Sequence, residues 1–221
     1  MTSRENLPAY IIIGAPRSGT SALTLIFKEQ GIPMYLSADA PDIDSPSGNQ
    51  EDNLVRLLNN FLMGENGLGY RRNWDNPKYI NLNQTTSQHI HLIKKYVSSR
   101  ERNAGERGWG VKDPRMSFLI EPWSLATQEH SVNWIYIRRE NREASISSLI
   151  KMLPAKFFYS GDPDAIYRLV SNWLEAFHIA SELGFHKSNL NPYCITYESL
   201  FSKKRLDELS KNTISKMKLH A

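Results

Sequence analysis

The sequence is poor in cysteine. Cys194 is the only one among 221 residues, so no internal disulfide can form and packing alone must hold the fold. A lone thiol suits a reducing compartment, and Cys194, set in an apolar run, is expected as a small buried strand residue. Long apolar runs are also missing. No stretch approaches the roughly 18 residues that a membrane span needs, and the N-terminus lacks the shape of a signal peptide. A soluble, cytoplasmic protein is the expectation. An excess of one charge is missing too. The formal net charge is +4, from 27 Lys/Arg against 23 Asp/Glu. Residues 199–221 alone hold six Lys/Arg and two Asp/Glu, which leaves 21 of each sign elsewhere. The body therefore has no excess of basic residues for nucleic acid, and the tail reads as a solvated helix face. Metal-ligand spacing is absent as well. Asp39, Asp42 and Asp44 lack the Gly and Glu register of a calcium loop. His89 and His91 lie two apart in a helical segment, face different sides, and are expected on the surface. No metal is called for.

What is present is ordinary globular material, 40% hydrophobic and 23% charged. It suffices for one α/β domain over residues 1–221, with no internal repeat or low-complexity segment. The densest signal is Ala9-Tyr10-Ile11-Ile12-Ile13-Gly14-Ala15-Pro16-Arg17-Ser18-Gly19-Thr20-Ser21. A β-branched run predicts a buried strand, Gly14 and Pro16 break it, and Ala22, Leu23, Leu25, Ile26 and Phe27 begin a helix face. Strand, glycine-containing loop and helix form an anion cradle, because loop amides and the positive helix end converge. Gly14 and Gly19 stand five apart and precede Thr20-Ser21, the P-loop pattern with Thr20 where the phosphate-gripping Lys belongs. Arg17 supplies a cation within the loop instead. That suits a 5′-phosphate bearing a less charged transferring group better than ordinary ATP or GTP hydrolysis. An incidental strand–turn–helix would show the same turn residues.

Along the chain, residues 32–36 predict a short strand, and residues 38–49 and 64–83 predict loops, the second with Tyr70, Trp74 and Tyr79. A helix from Asp52 would put Leu54, Leu57, Leu58, Phe61 and Leu62 on one face. A second, over residues 86–103, would turn Ile90, Ile93 and Val97 inward. Trp109 and Val111 predict a strand ended by Pro114, so that Lys112-Asp113-Pro114-Arg115 falls at its carboxyl end, where open α/β sheets bind ligands. Residues 132–138 alternate as a strand leading into a helix over residues 144–152. Residues 164–184 make a long amphipathic helix behind Pro163. Residues 192–197 form a last strand before a basic helix. Strands alternating with helices imply a mostly parallel sheet covered on both faces.

Pro16-Arg17-Ser18-Gly19-Thr20-Ser21 resembles the 5′-phosphosulfate loop of sulfotransferases that use 3′-phosphoadenosine 5′-phosphosulfate (PAPS). Three further blocks are similar to parts of that family. Ile135-Tyr136-Ile137-Arg138 leads into Arg139, with Ser147 eight positions on, as in the family's 3′-phosphate element. Arg138 and Ser148 are the off-by-one alternatives, and Asn141 stands where the family usually has Pro. Val111-Lys112-Asp113-Pro114 is similar to a block of tyrosylprotein sulfotransferases and bacterial relatives. Ile195-Thr196-Tyr197-Glu198-Ser199-Leu200 resembles a late strand. The resemblance spans residues 9–200 in order but concentrates in these four blocks, and an evident glycine-rich basic closing segment is lacking.

The resemblance implies a P-loop NTPase-like, three-layer α/β/α domain with a mostly parallel central sheet. It implies a PAPS-dependent sulfotransferase that moves a sulfonate to a hydroxyl or amine acceptor by in-line displacement. Arg17, Ser18, Gly19, Thr20 and Ser21 would hold the 5′-phosphosulfate, and Arg139 and Ser147 the 3′-phosphate. Tyr197 would meet the adenine or, alternatively, cap the core. Arg17 and Lys112 would neutralise the moving group. Gly48-Asn49-Gln50-Glu51 before a leucine-rich helix resembles a bacterial arrangement that makes Glu51 the general base. Glu51 reads equally as a carboxylate complementing a helix dipole, with Asp52 and Asp44 next in line. The acceptor is a small-molecule, glycan or lipid hydroxyl, and neither its identity nor the oligomeric state is readable. The rival expectations are a small-molecule or nucleotide kinase on the same loop and a non-catalytic nucleotide-binding protein of the same fold.

Overall fold

The structure is a computed structural model and describes residues 7–35, 50–65, 85–153 and 162–201. Four strands alternate with six α-helices among these residues: β1 Ala9–Ile13, α1 Thr20–Glu29, α2 Asn53–Glu65, α3 Ser87–Arg102, β2 Trp109–Lys112, α4 Ile120–Thr127, β3 Val132–Arg138, α5 Arg142–Ile150, α6 Pro163–Lys187 and β4 Tyr193–Thr196. The strands form one all-parallel sheet in the order β2-β1-β3-β4. In the register, Ile12 lies beside both Lys112 and Ile135, and Ile137 beside Ile195.

Alternation along the strands divides the core in two. Ala9, Ile11, Ile13, Trp109, Val111, Trp134 and Tyr136 face one side, where α2 to α6 pack. Tyr10, Ile12, Ile135, Ile137 and Ile195 face the other, covered by Leu23 and Phe27 of α1 with Ile32, Met34 and Leu200. All five residues of β1 are buried, as expected for a central strand of a parallel sheet. Helices thus lie on both faces of an α/β sheet. No helix among the described residues is long and apolar enough to cross a membrane.

Several sequence expectations need correction. Residues 32–35 form no strand. Pro33 has no N–H for a ladder; its carbonyl accepts from Gly110 N at 2.8 Å and from Arg100. In α2, Leu54, Leu57 and Phe61 are exposed, while Val55, Asn59 and Leu62 are buried. The inward face takes a polar residue because Asn59 Oδ1 accepts the indole N–H of Trp123 at 3.0 Å. His89 is buried, not on the surface. Its N–H donates to Thr86 Oγ1 and its Nδ1 accepts from Thr86 N, each at 3.3 Å, which closes a capping box at the start of α3. Cys194 is exposed, because β4 ends the order of described strands and turns only Ile195 into the core. The expected basic tail helix and all of residues 38–49, Asp44 included, lie outside the described residues, as do residues 66–83 with Tyr70, Trp74 and Tyr79.

The connections reverse direction at β1. β1 continues into α1 on one face, whereas its neighbours β2 and β3 continue into α4 and α5 on the other. Chains that leave adjacent strands toward opposite faces open a cleft at the strands' carboxyl ends.

Candidate functional site at the carboxyl edge of the sheet

The loop 14–19 turns tightly because its backbone lies on β3. A Cβ on Gly14 would fall 2.4 Å from Ile137 O and 2.8 Å from Ser18 Oγ. Ser18 N donates to Ala15 O at 3.1 Å, and the turn places Arg17 at φ 65° and Gly19 at φ 99°. A positive φ at a non-glycine such as Arg17 is uncommon. Ser18 is buried with its Oγ lacking a hydrogen-bond partner. At Gly19, α1 starts with no side-chain cap and no acidic residue in its first turn. By contrast, Thr86, Asn141 and Asp162 cap α3, α5 and α6. α4 also starts without a side-chain cap, but it carries Glu121 in its first turn; the first-turn amides of α1 have no acceptors within the helix, and a helix end of this kind suits an anion.

The carboxyl ends of β3 and β4 close over this loop. Tyr197 N donates to Arg138 O at 2.8 Å, and its ring presses on Gly19, where an added Cβ would sit 2.3 Å from Cδ2. The Arg139 guanidinium lies 4.8 Å from the centre of that ring. Its buried Nε has no hydrogen-bond partner and stands 3.9 Å from Glu198 Oε1. Glu198 accepts from Glu140 N and Asn141 N at 3.0 and 3.2 Å. Slight burial pushes this carboxyl up, but the amides of Glu140, Glu198 itself and Asn141, with Arg139, outweigh it and hold it below its ordinary value. Arg138 is exposed. Arg17 Nε donates to Ser148 Oγ at 2.8 Å, so Ser148, the off-by-one alternative, is the serine that reaches the loop. Ser147 is exposed, and its carbonyl accepts from Lys151 N at 3.2 Å.

A second group of side chains forms at the end of β2. Lys112 is 2% exposed, and its Nζ lies 3.2 Å from Glu51 Oε1. Arg115 Nη1 lies 3.2 Å from Glu51 Oε2 and 3.0 Å from both oxygens of Asp113. Asp113 also accepts Arg115 N at 2.8 Å, capping the 3-10 turn Pro114–Phe118. Two cations and two carboxylates therefore share one buried cluster, the condition under which buried charge is tolerated. Burial raises the Glu51 carboxyl, but Lys112 and Arg115 more than offset that and hold it below the usual range. Asp113 goes the other way. Burial pushes it up to about 6, with Arg115 pulling down and Glu51 pushing up.

Among the alternatives to Glu51, Asp52 is occupied as a structural group. It accepts Leu54 N at 2.9 Å and Tyr96 OH at 3.0 Å, and lies 3.6 Å from Arg100 Nη1. Sequence reasoning missed the roles of Asp113 and Arg115. Their only signal was charge packed tightly around Pro114, whereas their partner Glu51 is some 60 positions away.

Of the residues singled out in the sequence, Arg17, Ser18, Gly19, Thr20 and Ser21 lie after β1, Lys112 ends β2, Arg139 follows β3 and Tyr197 follows β4. Ser147 lies on α5, displaced from the loop contact that Ser148 makes, and Glu51 is held through Lys112 and Arg115 ahead of α2. Such an edge can bind an anion through backbone amides, flank it with Arg17 and Arg139, and offer an ionised carboxylate beside a lysine. No protein-family model matches the chain, and no curated protein matches it.

Proposed function

We propose that the chain is a P-loop-like sulfotransferase domain that uses PAPS and a hydroxyl or amine acceptor. The observation that carries this reading is the gathering of the four resemblance blocks at the carboxyl ends of four adjacent parallel strands, around an uncapped helix end.

The residues fit the cofactor's chemistry. Ser18 Oγ is buried and unpartnered beside the α1 amides, as a 5′-phosphosulfate site requires. Arg139 keeps an Nε without a hydrogen bond for a phosphate oxygen, and guanidinium suits phosphate by its planar fork. Tyr197 offers a ring between Gly19 and Arg139 for a base to meet at its edge. PAPS supplies a sulfonate whose sulfur bonds the acceptor oxygen or nitrogen as its bond to the bridging phosphate oxygen breaks, leaving the electron pair on that phosphate. Lys112 and Arg17 would neutralise the charge that gathers there. Glu51 would take the acceptor's proton, and being ionised at neutral pH it is in the form that can do so. Ser148 or Ser147 would join Arg139 at the 3′-phosphate; the Arg17–Ser148 bond favours Ser148.

The test is a calorimetric titration with adenosine 3′,5′-bisphosphate in the absence of magnesium, with ADP as control. The expected result is tighter binding of the bisphosphate, weakened in Arg139→Ala. Preference for ADP, or a requirement for magnesium, would replace this reading with a kinase on the same loop.

A further inference from the structure

The two oxygens of Glu51 are held differently. Oε1 meets Lys112, a flexible chain with a single ammonium. Oε2 meets Arg115, whose Nη1 is also locked to both oxygens of Asp113. Asp113 is itself fixed, fully buried and capping the turn that carries Arg115. One side of the carboxylate is therefore anchored to the turn that Asp113 caps, and the other to the buried ammonium of Lys112.

This matters because Lys112 has two claims on it. If it turns toward the transferring group, its hold on Glu51 Oε1 weakens or breaks, since its three donors must then serve a second anion. A buried carboxylate stripped of its only cation takes up a proton and ceases to be a base. Glu51 has a second cation, so that loss does not follow. We propose that Arg115 is a positioning residue that keeps Glu51 anionic and fixed through Oε2 while Lys112 leaves Oε1, so that Oε1 becomes the proton-accepting oxygen. This rests on the sulfotransferase reading for the use made of Oε1, but the anchor itself is a property of the protein alone.

Among the described residues, charged and titratable groups reach this cluster from several elements. Lys112 comes from β2, and Asp113 and Arg115 from the turn after it. Asp52, the next residue, turns instead to Tyr96 and Arg100 of α3. On the other side, Lys28 of α1 and Tyr35 bond to each other and, through the Tyr35 hydroxyl, reach Gln50 at 3.4 Å. Only Lys112 and Arg115 among the described cations have an ion-pair contact with Glu51 itself.

The experiment is carboxyl carbon NMR on the whole protein, following Glu51 through a pH titration and assigning its signal by Glu51→Gln. Lys112→Met imitates the departed lysine with a side chain of similar bulk. Arg115→Gln keeps hydrogen-bond donors but removes the charge. In Lys112→Met the proton affinity of Glu51 is expected to rise, because Lys112 is the larger of the two cationic influences, but the carboxyl is expected to stay ionised at neutral pH through Arg115. In Arg115→Gln its proton affinity is expected to rise about tenfold or more, one pH unit or more on the titration curve. The reverse pattern, Glu51 protonated at neutral pH in Lys112→Met with little change in Arg115→Gln, would overturn the proposal. If Arg115→Gln does not fold, Lys112→Met decides alone. Calorimetry with adenosine 3′,5′-bisphosphate runs alongside on the wild type and Lys112→Met. Lack of bisphosphate binding by the wild type would sink the sulfotransferase reading while the NMR still judges the anchor.

Discussion

Gly19 meets two constraints at once. Its φ of 99° lies where an L side chain is strained, at roughly 1–2 kcal/mol for alanine. Its missing Cβ also leaves room for the Tyr197 ring, which would otherwise be 2.3 Å away. The two costs can be separated. Gly19→Ala should lower stability in urea denaturation by about 2 kcal/mol or more, since the ring must move and Arg139 with it. In a Tyr197→Ala background the ring clash is gone and the backbone strain remains with a tight contact to the Cβ at 3.2 Å, so the same substitution should cost less by at least about 0.5 kcal/mol. An equal cost in both backgrounds would mean that the ring does not bear on Gly19. At this scale the sequence was partly legible. Gly19 and Tyr197 stood out separately, one as a turn glycine and one as an aromatic after a strand. Their contact joins segments that follow β1 and β4, strands that are not neighbours in the sheet, and no local pattern carries that.

The start of α5 shows how an element can reach the same place by different chemistry. Asn141 occupies the position where the resembling family usually has Pro, and it works as an N-cap. Its Oδ1 accepts Ala144 N at 3.0 Å, and its own N–H donates to Glu198. Proline would remove both bonds even though the φ of −76° would admit its ring. Asn141→Ala should therefore cost about 1 kcal/mol through the lost cap. Asn141→Pro should cost more, and it should also let Glu198 titrate at higher pH, because one of the amides that hold its carboxylate down is gone. Thermal unfolding and a carboxyl NMR titration measure the two effects. A stabilised proline variant would show that the cap contributes nothing. Elements in general were readable where one force dominates. The β-branched run of β1, the alternation of β3 and the long stripe of α6 emerge close to their predicted bounds. The reading failed where a polar residue takes a core position. Asn59 on α2 and His89 on α3 are buried through specific bonds, and counting apolar residues turned α2 too far toward Leu54, Leu57 and Phe61.

At the scale of the molecule, the sheet order is what brings distant segments together. With β1 between β2 and β3, the loop 14–19 is flanked by residues 112–115 on one side and 138–141 on the other, with Tyr197 reaching in from β4. Parallel strands place all their carboxyl ends on one edge, so the position of the candidate residues was legible once the strands were found. The cross-links were not. Glu51 with Lys112 and Arg115, and Arg17 with Ser148, join positions separated by 61 to 131 residues. This architecture makes a prediction about where a ligand is felt. Binding to the native state raises the global unfolding free energy by RT ln(1 + [L]/Kd) for every amide that exchanges through global unfolding. Amides that exchange by local opening gain only if the ligand closes that opening. With adenosine 3′,5′-bisphosphate bound, hydrogen exchange should therefore slow most at residues 14–23, 138–148 and 196–199. Amides that exchange by local opening in the first turn of α3 and at the end of α4 should change little. Local protection confined to α2, or spread evenly over α3 and α4, would place the ligand somewhere other than the carboxyl edge and would remove the ground on which the four blocks are read as one site.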